Sequence, residues 1–299
     1  MTTAPGATAP DVLRYAAFTT DPSGGNPAGV VLDATGLDDA TMLAVAAEVG
    51  YSETAFLTPA TETAPLSLAP GRAFDVRYFS PRAEVPFCGH ATVATAVALA
   101  ERIGSGELHF ATRAGSVPVE VVGGPDGTLR ATLTSVAPHV DAVSEADVAE
   151  ALDTLGWSTD DLDPTLPPRI AYAGARHLVL AAATCERLAE LAYDFDRLAR
   201  FMTDRDLTTL QLVWRQDAHT FHVRDPFPVG GVIEDPATGA AAAAFGAYLR
   251  ELDQVGPAAE LTLHQGDDMG RPGLLRVELR EGDLRIRVSG TAVPITAAG

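Results

Sequence analysis

Short apolar or alternating runs, separated by glycine, proline and Asp-Gly breaks, occupy most of this chain. Val12–Phe18, Gly29–Leu32, Phe74–Phe79, Val117–Val122, Leu210–Trp214, Thr220–Val223, Leu261–His264 and Leu284–Val288 carry the β-branched and aromatic residues of strands. Gly123-Gly124-Pro125-Asp126-Gly127 is a typical break. Helical spacing takes over at Asp38–Val49, where Met42, Leu43, Val45, Ala46 and Val49 share a face and Gly50 supplies the stop. Another helix opens at Ser144, with Asp147 giving a capping-box-like start. Short strands with irregularly placed helices predict an α+β fold rather than a regular βαβ repeat.

Two stretches lack the usual polar face. Ala91–Ile103 reads ATVATAVALAERI and Gly239–Leu249 reads GAAAAAFGAYL, so each helix should be buried on nearly all sides. A buried helix in a soluble chain needs sheet around it, and small residues let that sheet approach. The pattern predicts two similar lobes, each a curved, mostly antiparallel sheet wrapped around a central helix. The first lobe is expected over residues 11–128 plus 284–299, with its helix at 91–103. The second is expected over 129–283, with its helix at 239–252, and residues 1–10 read as a loose tail. Both helix N-termini should face the cleft, where their N–H groups and positive dipole ends suit a carboxylate.

Composition narrows the chemistry. At 299 residues and 46% apolar the chain can bury a large core. A formal charge of −19 opposes nucleic acid or an anionic membrane as partner. All 21 basic residues are arginine. A G- and C-rich genome accounts for that, and the consequence stands regardless: no Schiff base to pyridoxal phosphate, no P-loop lysine, no lysine base. Cys88 and Cys185 are too few for a disulfide framework or a thiolate metal site. Met1–Pro10 has no basic or apolar region of a signal peptide, and the Ala-rich run after His90 is too short to cross a bilayer. A cytoplasmic location is the expectation.

Four residues are candidates for chemistry, each with a plainer alternative. Glu53 follows Gly50 and, in an extended segment, shares a face with Tyr51, Ala55 and Leu57. Partial desolvation there would raise its pKa into the range of a carbon acid/base; alternatively it is a strand-entry glutamate facing water. His90, in the first turn of a buried helix, should be neutral beside the dipole and able to donate or accept, or it simply caps that helix. Cys88 would feel the same field as a low-pKa thiol, or it is buried filler. Asp235 precedes Pro236 and is either functional or an N-cap with proline at N1. His219 and His222 lie three apart on a strand and make a poor metal pair. No HExxH, GxGxxG, GxSxG or P-loop is present, so no metal site and no cofactor is expected.

Taken in order, Gly25-Asn26-Pro27-Ala28, Ser52-Glu53-Thr54, Phe87-Cys88-Gly89-His90, Gly115-Ser116-Val117, Ala175-Arg176-His177, Glu234-Asp235-Pro236-Ala237-Thr238-Gly239, Gln265-Gly266, Gly270-Arg271-Pro272 and Val288-Ser289-Gly290 match one pattern. The chain resembles the phenazine-biosynthesis PhzF-like proteins, relatives of diaminopimelate epimerase. The resemblance implies the same two-lobed fold and a cofactor-independent isomerase acting on a small unsaturated carboxylic acid. By that likeness Glu53 takes a proton from carbon and returns it elsewhere on the substrate, while His90 and Asp235 orient the substrate and assist. Backbone N–H groups of Gly239 and Ala240 would grip its carboxylate, with Asn26, Ser52, Gly89 and Arg271 also on the substrate, and the assembly would be a homodimer. The family commonly has serine where this chain has Ala240, which keeps the N–H and loses a hydroxyl contact. A two-thiol epimerase lacks its second thiol here, because the second helix start carries no cysteine. A non-catalytic acid-binding protein of the same fold is the remaining alternative.

Overall fold

The computed structural model describes residues 10–60 and 68–296. All but the last residue of the tail expected over 1–10 lies outside the described residues. Its helices are α1 (Asp39–Val49), α2 (Gly89–Ile103), α3 (Glu145–Leu155), α4 (Cys185–Ala189), α5 (Phe195–Asp204) and α6 (Gly239–Glu251). The strands join in one continuous 17-stranded sheet. The mixed helix-and-sheet class is as expected, and each expected strand run forms. Most runs extend outward, because ladder pairing continues through polar residues: the run at Leu284–Val288 becomes Asp283–Pro294. Pairing is mostly antiparallel. The parallel pairs are bridged by helices, Asn26–Val31 with Glu53–Pro59 across α1, Ala73–Phe79 with Gly106–Thr112 across α2, and Arg176–Ala181 with Thr209–Arg215 across α4 and α5. Likewise Thr220–Pro226 pairs in parallel with Ala259–Gln265 across α6.

Caps explain the helix ends. Asp38 accepts the Thr41 N–H at 2.8 Å, and Gly50 closes α1 with φ of 72°. Ser144 accepts the Asp147 N–H at 3.0 Å, but the return half of a capping box is missing. The Asp147 carboxylate takes the Ser144 hydroxyl at 2.7 Å instead.

Every residue of α2 from His90 to Ala100 is buried, as are Gly239 and Ala241–Leu249 of α6. Helix α2 packs on Leu13–Ala17, Asn26–Val31 and Leu129–Thr134; α6 packs on His139–Ala142, Arg169–Tyr172 and Gly273–Arg280. The long strand Asp283–Pro294 touches both.

The two helix starts are copies of one device. Glu84-Val85-Pro86-Phe87-Cys88-Gly89-His90-Ala91 aligns with Glu234-Asp235-Pro236-Ala237-Thr238-Gly239-Ala240-Ala241 without a gap. Each copy opens as a two-residue strand folded back on its predecessor, Tyr78 opposite Val85 and Asp225 opposite Asp235. Each is held by a two-pronged ion pair: Arg77 to Glu84 at 2.7 and 2.7 Å, Arg224 to Glu234 at 3.0 and 2.6 Å.

Phe18 lies beneath the junction with φ of 63°, an unusual conformation for an aromatic residue. Its ring fills space that only glycine leaves open: a Cβ on Gly290 would stand 2.2 Å from Phe18 Cδ1. Gly290→Ala therefore forces the ring aside and should destabilise the protein by about 1–3 kcal/mol. Urea unfolding measures this; an unchanged midpoint would show that the ring has room to move.

Candidate active site

Chain geometry gathers the residues. Asn26 and Glu53 each begin a strand, and the parallel register sets Ala28 opposite Glu53, so both side chains stand at one end of the sheet. Cys88 and His90 enter α2, and Asp235 stands just ahead of α6. The two helix N-termini abut: a Cβ on Gly89 would be 3.9 Å from the Gly239 Cα. Neither start has a side-chain cap. Two positive dipole ends therefore meet with no side chain capping their first-turn N–H groups.

One amide organises the acid/base groups. Asn26 Nδ2 donates to Asp235 Oδ1 at 2.8 Å and to the Ala237 carbonyl at 3.1 Å, and lies 3.1 Å from His90 Nδ1. The amide nitrogen only donates, so a proton on His90 Nδ1 would oppose it, and this contact assigns the ring proton to Nε2. That nitrogen lies 3.4 Å from Glu53 Oε2 and 3.3 Å from Ser52 Oγ. The Cys88 thiol completes the group, 3.5 Å from Glu53 Oε2 and 3.4 Å from His90 Nδ1. The Glu53 side chain is 15% exposed, which rules out a strand-entry glutamate facing water.

Two expectations are corrected. Asp235 is not the N-cap of α6; Thr238 is, and the Asp235 carboxylate accepts the Thr238 hydroxyl at 2.6 Å. Cys88 is not a low-pKa thiol. Burial pushes it well above the ordinary thiol value and the Glu53 charge adds to that, outweighing the Ala91 N–H. Burial also raises Asp235 and the Glu53 charge adds to that, against the hydrogen bonds from Thr238 and Asn26.

Glu53, Cys88 and His90 offer one oxygen, one sulfur and one nitrogen within 4.8 Å of one another, a donor set zinc accepts. Coordination would need a thiolate and a bare Nε2. In the metal-free protein burial and the Glu53 charge keep the thiol protonated, so a metal would have to displace that proton.

Of the other expected contacts, Gly239 and Ala240 form the first turn of α6 at the junction. Arg271 reaches across to the opposite loop, donating to the carbonyls of Gly25 at 2.9 Å and Gly24 at 2.8 Å. Sequence reasoning missed the support behind Asp235. Gln265 Oε1 accepts the Thr238 N–H at 3.0 Å, and its Nε2 donates to the Asp235 carbonyl at 2.8 Å and to Thr238 Oγ1 at 3.0 Å. The Gln265-Gly266 motif was the available signal.

The family described as phenazine biosynthesis-like protein matches residues 15–298. The chain belongs to that family. An uncharacterized isomerase of Bacillus subtilis is 32% identical over 294 residues, covering 95% of this chain and 96% of that protein. The trans-2,3-dihydro-3-hydroxyanthranilate isomerase of Pseudomonas fluorescens is 30% identical over 284 residues, 93% and 94% of the two chains. The crystal structure of a PhzF-family phenazine biosynthesis protein from Bacillus anthracis superposes with a TM-score of 0.83 at 28% identity, covering 95% and 96%. Among the described residues no helix is long and apolar enough to cross a membrane.

Buried and protonated, Cys88 should resist alkylation. Iodoacetamide at neutral pH should modify the more exposed Cys185 first in the folded protein, as read by peptide mass. Faster labelling of Cys88 would contradict its assigned protonation.

Proposed function

We propose that this protein is an isomerase that moves a proton within a small unsaturated cyclic carboxylic or amino acid, without a cofactor, with Glu53 as the shuttling group. The observation that carries the reading is the sheltered Glu53 carboxylate, 3.4 Å from a histidine nitrogen, beside two abutting helix N-termini. Two lobes, 11–128 plus 284–299 and 129–283, hold the substrate between them, in keeping with the two buried helices that the continuous sheet surrounds.

The substrate carboxylate lies against first-turn N–H groups at Gly239 and Ala240, where the dipole end stabilises negative charge. The Glu53 carboxylate removes a proton from carbon. The electron pair moves through the adjacent double bond, and the same carboxyl group returns the proton at the far end, so proton and charge balance. The His90 Nε2–H lies beside Glu53 Oε2 and steadies the carboxylate before and after transfer. Asp235, through Asn26, holds the ring in that orientation. Conjugation with the substrate's own carboxyl group limits charge build-up on carbon. The family's named isomerases support the reaction class.

Two-base epimerisation is the weaker reading. Cys88 could supply one thiol, but the position matching it in the repeat is Thr238, whose hydroxyl is committed to Asp235.

Glu53→Gln should leave the fold intact and reduce turnover by about 10²–10⁴. Incubation of trans-2,3-dihydro-3-hydroxyanthranilate and related unsaturated acids in D₂O tests the class by mass and NMR. An isomerase labels the new sp³ carbon, an epimerase the stereocentre, and a simple binder neither. Near-normal turnover in Glu53→Gln would remove Glu53 from the mechanism.

A further inference from the structure

Behind Asp235 lies a polar patch that the acid/base step does not use. His177, Thr209, Gln211 and Asp225 are each at most 1% exposed. His177 is opposite Thr209 on adjacent parallel strands. Its Nδ1 lies 2.7 Å from Thr209 Oγ1, which is 3.4 Å from Asp225 Oδ1. Among the described residues, Asp225 Oδ2, His177 Nε2 and both polar atoms of Gln211 have no hydrogen-bond partner. Buried polar atoms rarely go unpartnered, so this patch asks for a reason.

Asp225 is the residue directly opposite Asp235 in the two-residue ladder. Opposed residues of an antiparallel pair point to the same face with Cβ atoms about 4.5–5.5 Å apart, and like charges there are destabilising. Two carboxylates in a dry interior cannot both ionise cheaply, so the pair keeps a proton. Hydrogen-bond directions show which member keeps it.

Gln265 donates to the Thr238 hydroxyl, which must therefore donate onward to Asp235 Oδ2. Asn26 donates to Asp235 Oδ1. With a donor on each oxygen, Asp235 has the environment of an ionised carboxylate. Asp225 has one long hydrogen bond, an unpartnered oxygen, and only a more distant approach of the Thr238 hydroxyl, which sits against Asp235. The repeat agrees: Tyr78 occupies the position equivalent to Asp225, and its neutral hydroxyl lies 2.6 Å from Thr92 Oγ1.

We propose that Asp225 is a positioning residue that holds the single proton of an Asp225–Asp235 carboxyl pair, leaving Asp235 ionised to brace Asn26 and, through it, His90. The titratable groups around Asp225 are Asp235 and Glu234 on the opposing strand and His177 beyond Thr209. None offers it a positive charge. Glu234 is paired with Arg224, and burial lowers His177 to about 3, so its ring is neutral. Burial pushes Asp225 well up and the Asp235 charge adds to it, against smaller opposing effects of Thr238 and Thr209. The Thr209 hydroxyl can reverse direction, accepting from a protonated Asp225 and donating to His177 Nδ1. That chain gives the stored proton a fixed place.

The assignment of a role in catalysis rests on the isomerase reading; the protonation does not, and it is tested without substrate. Infrared spectra of the full chain at neutral pH should contain a neutral-carboxyl C=O band that shifts in D₂O and disappears in Asp225→Asn. Absence of the band in the unmutated protein, or its persistence in Asp225→Asn, overturns the proposal. Should Asp225→Asn fail to fold, Thr209→Val removes the hydrogen bond to Oδ1 and should shift the band; an unmoved band is equally fatal.

Linkage gives a second readout. A carboxyl whose folded pKa is raised keeps its proton where the unfolded chain has lost it, so stability falls as pH rises from the unfolded value of 3.8 toward the folded one. Asp225→Asn lacks that slope, and its melting temperature relative to the unmutated protein should climb across this window; a constant difference contradicts the stored proton. Failure of these experiments leaves the Glu53 mechanism standing, and failure of Glu53→Gln leaves the carboxyl pair standing.

Discussion

The Asn26 amide is the joint on which the site depends. It ties a strand start near one end of the chain to a carboxylate 209 residues away and to the Ala237 carbonyl just before α6. Both bonds hold only while the two helix starts stay in contact. Loss of the amide would leave the buried Asp235 short of a donor, and an unmatched buried charge costs far more than one hydrogen bond contributes. Aspartate at position 26 would bring a further negative charge to the same spot. Asparagine alone supplies two hydrogens there without charge, and its geometry also settles which His90 nitrogen carries the proton.

Around that joint, a repeated scaffold carries unlike chemistry. Both helix starts share the folded-back strand, the arginine–glutamate clamp and the glycine that lets the helices meet. The positions between these fixed points have diverged. Val85 matches Asp235, Cys88 matches Thr238, and His90 matches Ala240. The groups that can hold a proton, Glu53, Cys88 and His90, are therefore concentrated on the α2 side, and the α6 side supplies bracing and uncapped N–H groups. Two equal helix ends would give two equivalent half-sites; divergence gives one site with a direction.

Much of this was legible before the coordinates. The apolar helices at Ala91–Ile103 and Gly239–Leu249 announced their burial because no polar face exists to place in water. Glu53, His90 and Asp235 could be singled out because ionisable residues stood beside glycine at element starts. The eight-residue repeat was readable but faint, since only Glu, Pro, Gly and Ala positions agree. The sign of the Cys88 shift was not readable: a helix dipole lowers a thiol pKa, and only the burial in the fold and the Glu53 neighbour decide that desolvation wins. Asp225 was also hidden. Its residue type signals a surface loop, and its meaning comes from a ladder register that pairs it with Asp235.

The charge balance explains why a stored proton matters. Glu53, Asp225 and Asp235 are gathered around the helix junction, and no arginine among the described residues forms an ion pair with them. An anionic substrate would bring one more negative charge. Two helix N-termini together offer roughly one unit of positive charge, about half from each. That suffices for the substrate carboxylate and leaves little for surplus ionised aspartates. Asp235 is best placed to be charged, since Asn26 and Thr238 both donate to it, and the proposed mechanism needs a charged Glu53. Of these three carboxyls Asp225 is the one whose ionisation serves neither proposed task, so the proposed stored proton lowers the negative charge that an acidic ligand would meet there.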